Sequence, residues 1–203
     1  MVRLSATEHL LITDAALVLD SITSYLERAL VPDGGVGDVA LRPSCFKKLL
    51  SEPFEREVAD IFRAHGFRAG TVTEDGSWRV PAPIDLSAIA GPPPGEIDVL
   101  AIHPRGYAVV AECKVLALPV EASRMRNLAS KLGAGDAEGF RSKLRKKVAW
   151  ATGLGDSVGH LDGTPLGMIV LDRYLPGMDA TGPELVVPTD ALDDALGHLV
   201  GRA

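Results

Sequence analysis

Gly95-Glu96-Ile97-Asp98-Val99-Leu100-Ala101-Ile102, then His103-Pro104-Arg105-Gly106, then Tyr107-Ala108-Val109-Val110-Ala111-Glu112-Cys113-Lys114-Val115: two apolar runs around a short segment with Pro and Gly read as two β-strands joined by a turn. Apart from a few charges both runs are apolar on either face, the pattern of central strands covered on both sides. With the turn centred on Arg105, His103 faces Tyr107. The same register sets Asp98 opposite Glu112 and Glu96 opposite Lys114. Side chains alternate along a strand, so Glu112 and Lys114 share a face, and Asp98 lies on it too.

Two carboxylates and an ammonium therefore converge. Opposed like charges in a buried sheet are destabilising unless something compensates them, and a divalent cation is the expected compensation. Hard cations such as Mg2+ take carboxylate and carbonyl oxygens and keep several waters. Asp98, Glu112 and the backbone carbonyl of Cys113 make such a ligand set, with Mn2+ able to substitute. Lys114 then sits beside the bound water or the scissile phosphate, where it offsets developing charge. Phosphodiester hydrolysis is the chemistry this pattern suits.

Upstream of the hairpin, Phe54, Val58, Ile61 and Phe62 mark a helix that starts near Ser51, a good cap, tolerates Pro53 in its first turn and stops at Gly66. A short strand, Phe67 to Val72, follows. Thr73 to Gly95, rich in Pro, Gly, Asp and Ser, reads as a long loop or irregular insertion. Downstream, a basic, helical region from Val120 to Thr152 is interrupted at Gly133-Ala134-Gly135. A strand over Leu166 to Leu171, an edge strand over Glu184 to Pro188 and a helix from Thr189 to Leu199, capped by Thr189 or Asp190, complete the order. That succession implies an α/β sandwich around a central mixed sheet. Asp14 to Leu30 carries apolar residues at spacings of three and four, an amphipathic helix that Pro32, Gly34, Gly35 and Gly37 cut off from the rest. Residues 1–48 are thus expected to be a helical appendage and linker, and 49–203 the main domain.

The hairpin, with G-E-I-D-V-L on one strand and A-E-C-K on the next, resembles the D…ExK core of the PD-(D/E)XK, or restriction-endonuclease-like, nucleases. The helix Phe54-Glu55-Arg56-Glu57-Val58-Ala59 followed by Gly66-Phe67 is similar to the "FE…VA…G-F/Y" helix of the Mrr-type restriction nucleases, in which the Glu after the Phe reaches the metal site. The resemblance covers roughly Ser51 to Leu171. It implies a restriction-endonuclease-like sandwich and a Mg2+-dependent deoxyribonuclease in a restriction, defence or repair setting. Its acidic residues would be Glu55 (to the metal through water), Asp98 and Glu112, and Lys114 its catalytic cation. Glu57, not adjacent to the Phe, is the weaker counterpart of Glu55. Residues 1–30 have no counterpart in that family, and the Thr73–Gly95 insertion exceeds its compact core.

The chain has 203 residues, 46% of them hydrophobic and 24% charged, ordinary values for a globular protein. Its formal net charge of −6 argues against holding nucleic acid by overall attraction, so DNA contact must be local. Arg141, Lys143, Arg145, Lys146 and Lys147, with Arg124, Arg126 and Lys131, could line a phosphate backbone; the plainer reading is a solvated helix face. Trp78 and Trp150 could stack bases but are more often core, and His103 beside Pro104 reads as a surface residue. Neither Cys45 nor Cys113 has a metal-ligand spacing, and both read as core thiols. With no signal-peptide pattern, and no apolar run near the roughly 18–20 residues of a membrane helix, a soluble, cytoplasmic protein with no membrane partner is expected. Homodimerisation or a larger assembly stays open. The competing reading is an inactive module that keeps the fold to bind nucleic acid or a protein. A third is a small α/β protein whose Glu96–Lys114 and similar pairs are purely structural.

Overall fold

The hairpin forms at the expected register: β4 (Ile97–Ile102) and β5 (Ala108–Lys114) are antiparallel, with Val99 opposite Ala111 and Ile102 opposite Ala108. His103 N–H donates to Tyr107 O at 2.8 Å, and Gly106, at φ 93°, closes the turn. These coordinates are a computed structural model that describes residues 47–116, 130–132, 139–155, 157–159, 161, 163–174 and 183–201. The amphipathic helix expected at Asp14–Leu30, Cys45, Arg124 and Arg126 lie outside the described residues. The chain divides into two units, Met1–Lys47 and Lys48–Ala203, and the sheet belongs to the second.

Ahead of the hairpin, a π-helical turn (Lys47–Ser51) runs directly into α1 (Glu52–Ala64). Ser51 is consequently itself helical, and its side chain makes no cap hydrogen bond. The C-terminal stop is as expected. Gly66 takes φ 85°, its N–H donates to Arg63 O, and Phe67 N–H donates to Phe62 O, the two bonds of a Schellman cap. The two phenyl rings it brings together meet edge to face at 5.4 Å. β1 (Arg68–Val72) follows.

Thr73 to Gly95, expected to be irregular, holds two strands of two residues, β2 (Ser77–Trp78) and β3 (Ile84–Asp85), and a short helix, α2 (Ser87–Ala90). Strands this short leave no periodicity to detect; the fully buried Trp78 anchors them. Its indole N–H points at the carbonyls of Gly70 and Leu100, 3.2 and 3.3 Å away. Gly70 is required here, since a Cβ would fall 2.1 Å from the Arg79 carbonyl oxygen.

After the hairpin come α3 (Phe140–Thr152), β6 (Leu166–Leu171), β7 (Leu185–Pro188), a 3-10 turn (Thr189–Ala191) and α4 (Leu192–Gly201). The Thr189 hydroxyl donates to Leu171 O at 2.7 Å rather than capping the last helix. The seven strands lie in the order β3-β2-β1-β4-β5-β6-β7. Pairing is antiparallel as far as β4–β5 and parallel for β5–β6 and β6–β7. The protein is thus an α/β fold with a mixed sheet flanked by helices. One face packs Leu100, Val110, Ile169 and Leu171 against Leu144 and Ala151 of α3. The other packs Val99, Val109, Ala111 and Cys113 against Phe54, Val58 and Phe62 of α1 and Leu192 and Leu196 of α4. Each fully buried Leu or Phe side chain contributes about 1.5–3 kcal/mol, so both helical layers are bound to the sheet by many such contacts. No helix among the described residues is long and apolar enough to cross a membrane.

Candidate active site

The β4–β5 ladder stops at Val99↔Ala111, one pair short of Asp98. On the other side of β4, Gly70 pairs with Leu100 but Val72 with Ile97, so Asp98 and Val99 together oppose the single residue Thr71. That is a β-bulge, which bends a strand and re-aims its side chains. Ile97 accordingly packs in the same cluster as Leu100, three residues away, where simple alternation would put the two on opposite faces. Asp98 Oδ2 turns into the gap and accepts a hydrogen bond from Cys113 N–H at 2.7 Å. In a strand the N–H and C=O of one residue point to the same neighbour. The Cys113 carbonyl therefore also faces β4, past the last ladder pair.

Glu112 and Lys114 project from β5 toward the α3 layer. Lys114 Nζ donates to Glu112 Oε1 at 2.6 Å and lies 5.2 Å from the centroid of the Phe140 ring. The other oxygen, Oε2, accepts from Lys147 Nζ, which is also 4.0 Å from Asp98 Oδ1. The carboxylates thus meet between two lysines, one from β5 and one from α3. Asp172, at the end of β6, fixes the outgoing chain: its N–H donates to Lys114 O (3.1 Å), and Leu116 N–H donates to its carboxylate (2.8 Å).

Burial, then the Glu112 charge, push the Asp98 carboxyl up to about 6 against the pull of Lys147 and Lys114. Burial acts to raise the Glu112 carboxyl too, but Lys114 and Lys147 overcome it and hold it below the usual range. Burial likewise works to lower the Lys114 ammonium, and Glu112 and Asp98 outweigh it and raise it. Asp98 is thus the carboxyl whose burial the two lysines do not offset.

The compensation expected from a cation alone is therefore supplied in part by Lys147, which sequence reading assigned to a phosphate-binding surface. The signal was present in its spacing: Leu144, Lys147 and Ala151 form one stripe, and Lys147 is buried with them. Arg141 is buried as well, donating to Leu132 O at 2.6 Å and reaching Glu184, so it lies inside the protein, away from any nucleic acid. Arg145 is half exposed and paired with Glu184. Lys143, Lys146 and Lys131 are exposed.

Glu55 is half buried on α1, which packs against the sheet face opposite to Glu112 and Lys114. Its charge acts on the Cys113 thiol, which burial first, then the charges of Asp98 and Glu55, push well up. Glu57 is exposed. His103, read as a surface residue, is buried between Phe67 and Tyr107, with ring centroids 4.9 and 6.0 Å away. Trp78 is core, and Trp150 is partly buried with its N–H donating to Gly91 O. A surface groove of about 410 Å3 lies elsewhere, lined by Arg145, Thr152, Thr164 and Glu184 among others.

Among the described residues no three His, Cys, Asp or Glu side chains converge as a metal cage. Asp98, Glu112 and the Cys113 carbonyl are an all-oxygen set suited to a hard cation that keeps most of its waters. No family model matches the chain, and no curated protein or solved structure matches it significantly.

Proposed function

We propose that this protein is a metal-dependent nuclease with a restriction-endonuclease-like fold, hydrolysing phosphodiester bonds in DNA. The observation that carries the reading is the opening of the central hairpin: the ladder ends one pair short of Asp98, and the bulge leaves that carboxylate on the Cys113 N–H and beside Lys147, which also holds Glu112. A buried carboxyl pushed well up at a break in regular structure is a candidate for a functional site. When bound, Mg2+ or Mn2+ supplies charge neutralisation at the phosphate and a lowered pKa for water. Asp98 and Glu112, with the Cys113 carbonyl, would hold it. Lys114, about a quarter exposed, would meet the non-bridging phosphate oxygens and offset the charge that develops as water attacks phosphorus and the P–O bond breaks. Glu55 belongs to the site only through the family resemblance, as a group reached through water from the far side of β5.

The test is incubation of the purified protein with plasmid, linear and single-stranded DNA and with RNA, in Mg2+, Mn2+ or EDTA, beside Lys114→Ala. Cation-dependent cleavage that Lys114→Ala loses is expected. A variant that cuts as fast as the wild type would remove Lys114 from the chemistry. The second reading, an inactive module that binds nucleic acid or protein, is favoured by Lys147 bridging the carboxylates. Absence of both cleavage and cation binding would select it.

A further inference from the structure

We infer that Lys147 is a built-in stand-in for the cation: its ammonium and a divalent metal compete for the same pair of carboxylates, so metal binding is an exchange. The inference rests on the nuclease reading, and concerns a residue that neither the hairpin motif nor the family resemblance includes.

Its basis is position. Lys147 comes from α3, a different element from either carboxylate, and its side chain is only 10% exposed. Its Nζ bonds Glu112 Oε2 and lies 4.0 Å from Asp98 Oδ1, so one ammonium serves both of the acids that would hold a cation. Lys114 differs on each count: it lies two residues from Glu112 on the same strand, bonds Oε1 instead of Oε2 and is 26% exposed. The two lysines therefore divide the work. Lys114 faces substrate, while Lys147 holds the acids together in the metal-free protein. Without an internal cation, Asp98 and Glu112 would repel one another at a cost in stability to the metal-free protein. Lys147 is thus a positioning residue, whose long flexible stem lets the ammonium withdraw once a stronger charge arrives.

Calorimetric titration with Mg2+ and Mn2+ in the absence of DNA tests the exchange, on wild type, Lys147→Met, Lys147→Arg, Lys114→Met and Asp98→Asn. Lys147→Met should bind the cation about tenfold or more tightly, well beyond the change in Lys114→Met. Lys147→Arg should stay near wild type, and Asp98→Asn should bind weakly. Metal should also raise the melting temperature of Lys147→Met more than that of wild type. If Lys147→Met does not fold, acylation of wild-type lysines by acetic anhydride, read by mass spectrometry, decides: Lys147 labelling should increase several-fold in saturating Mg2+. Unchanged or weaker metal binding by a folded Lys147→Met, a gain no larger than that of Lys114→Met, or equal Lys147 labelling with and without metal would overturn the exchange and leave the nuclease reading standing. No cation binding by any of these proteins would overturn both.

Discussion

Helix α3 carries two buried charge clusters that look alike in sequence and behave oppositely in the fold. Near its start, Glu184 lies between Arg141 and Arg145, and the two guanidiniums together reach both oxygens of its carboxylate. Hydrogen bonding from Arg145, against the opposing effect of burial, holds the Glu184 carboxyl below the usual range. Two turns on, Lys147 reaches Asp98 and Glu112, where two carboxylates share two ammoniums and Asp98 is pushed up to about 6. A cluster that exists to fasten satisfies its acid; a cluster that exists to bind leaves one acid wanting. That is the physical ground for proposing the chemistry at Asp98 and not at Glu184, although both are buried and both sit beside basic residues.

The strongest way to break this contrast is to neutralise one acid in each cluster. Glu112→Gln should lower cation-dependent DNA cleavage by about 10^3-fold or more while the circular dichroism spectrum is retained. Glu184→Gln should leave cleavage within a few-fold of wild type. A Glu184→Gln protein that folds normally yet has lost cleavage would move the chemistry to the wrong end of the helix. In urea denaturation the ranking reverses. Glu184→Gln removes the buried carboxylate that Arg141 and Arg145 share and should cost about 3 kcal/mol.

Acidity sharpens the same contrast with somewhat smaller effects. Asp98 titrates near 6 when folded and near its usual 3.8 when unfolded. Its contribution to stability is therefore complete below about pH 4 and is lost as pH rises through about 6, amounting to about 2–3 kcal/mol. Glu184 and Glu112 have the opposite sign: with carboxyls held below the usual range, they stabilise above their unfolded values and cease to do so as pH falls. Urea midpoints measured from pH 4 to 7 should show a destabilising trend across that window that Asp98→Asn removes, and Mg2+ affinity should climb over the same interval as Asp98 ionises. A wild type and an Asp98→Asn variant with identical pH profiles would contradict the raised carboxyl.

The smallest effects belong to the exposed lysines of the same helix. Lys143→Ala and Lys146→Ala should change stability by less than about 0.5 kcal/mol. If α3 also meets a phosphate backbone, each should reduce the salt dependence of DNA binding by about one unit of log–log slope. Binding assays at several salt concentrations read this directly, and unchanged slopes would assign both lysines to a solvated face.

Much of this architecture was legible in the residues, and what was not has identifiable causes. The hairpin register followed from the turn, because Pro104 and Gly106 fix where the chain reverses and every pair behind it is then counted off. The end of α1 followed from Gly66. The bulge at Asp98–Val99 left no trace, since a bulge shifts facing without changing composition, and Asp98 is linked to Glu112 through Lys147 beside an opened ladder instead of by a regular pair. β2 and β3 were too short to show a period and depend on Trp78 and Gly70 for their place. The basic run was read by charge when its spacing was the better guide: Arg141, Leu144 and Lys147 share the buried side of the helix, and only Lys143, Arg145 and Lys146 face outward. Glu55 came from a family pattern alone, and the fold sets it on the Cys113 side of β5.

The Arg141–Glu184 clamp has one more consequence, and it is one of gauge. An α-helix advances about 1.5 Å and turns about 100° per residue, so Lys147 stands about 9 Å along the axis from Arg141. By pinning one end of α3 to the start of β7, the clamp sets the zero from which that length is measured. A slip of a single residue would withdraw the ammonium from between Asp98 and Glu112 and present Lys146 or Val148 in its place. The inert cluster is, in this sense, the calibration mark of the reactive one.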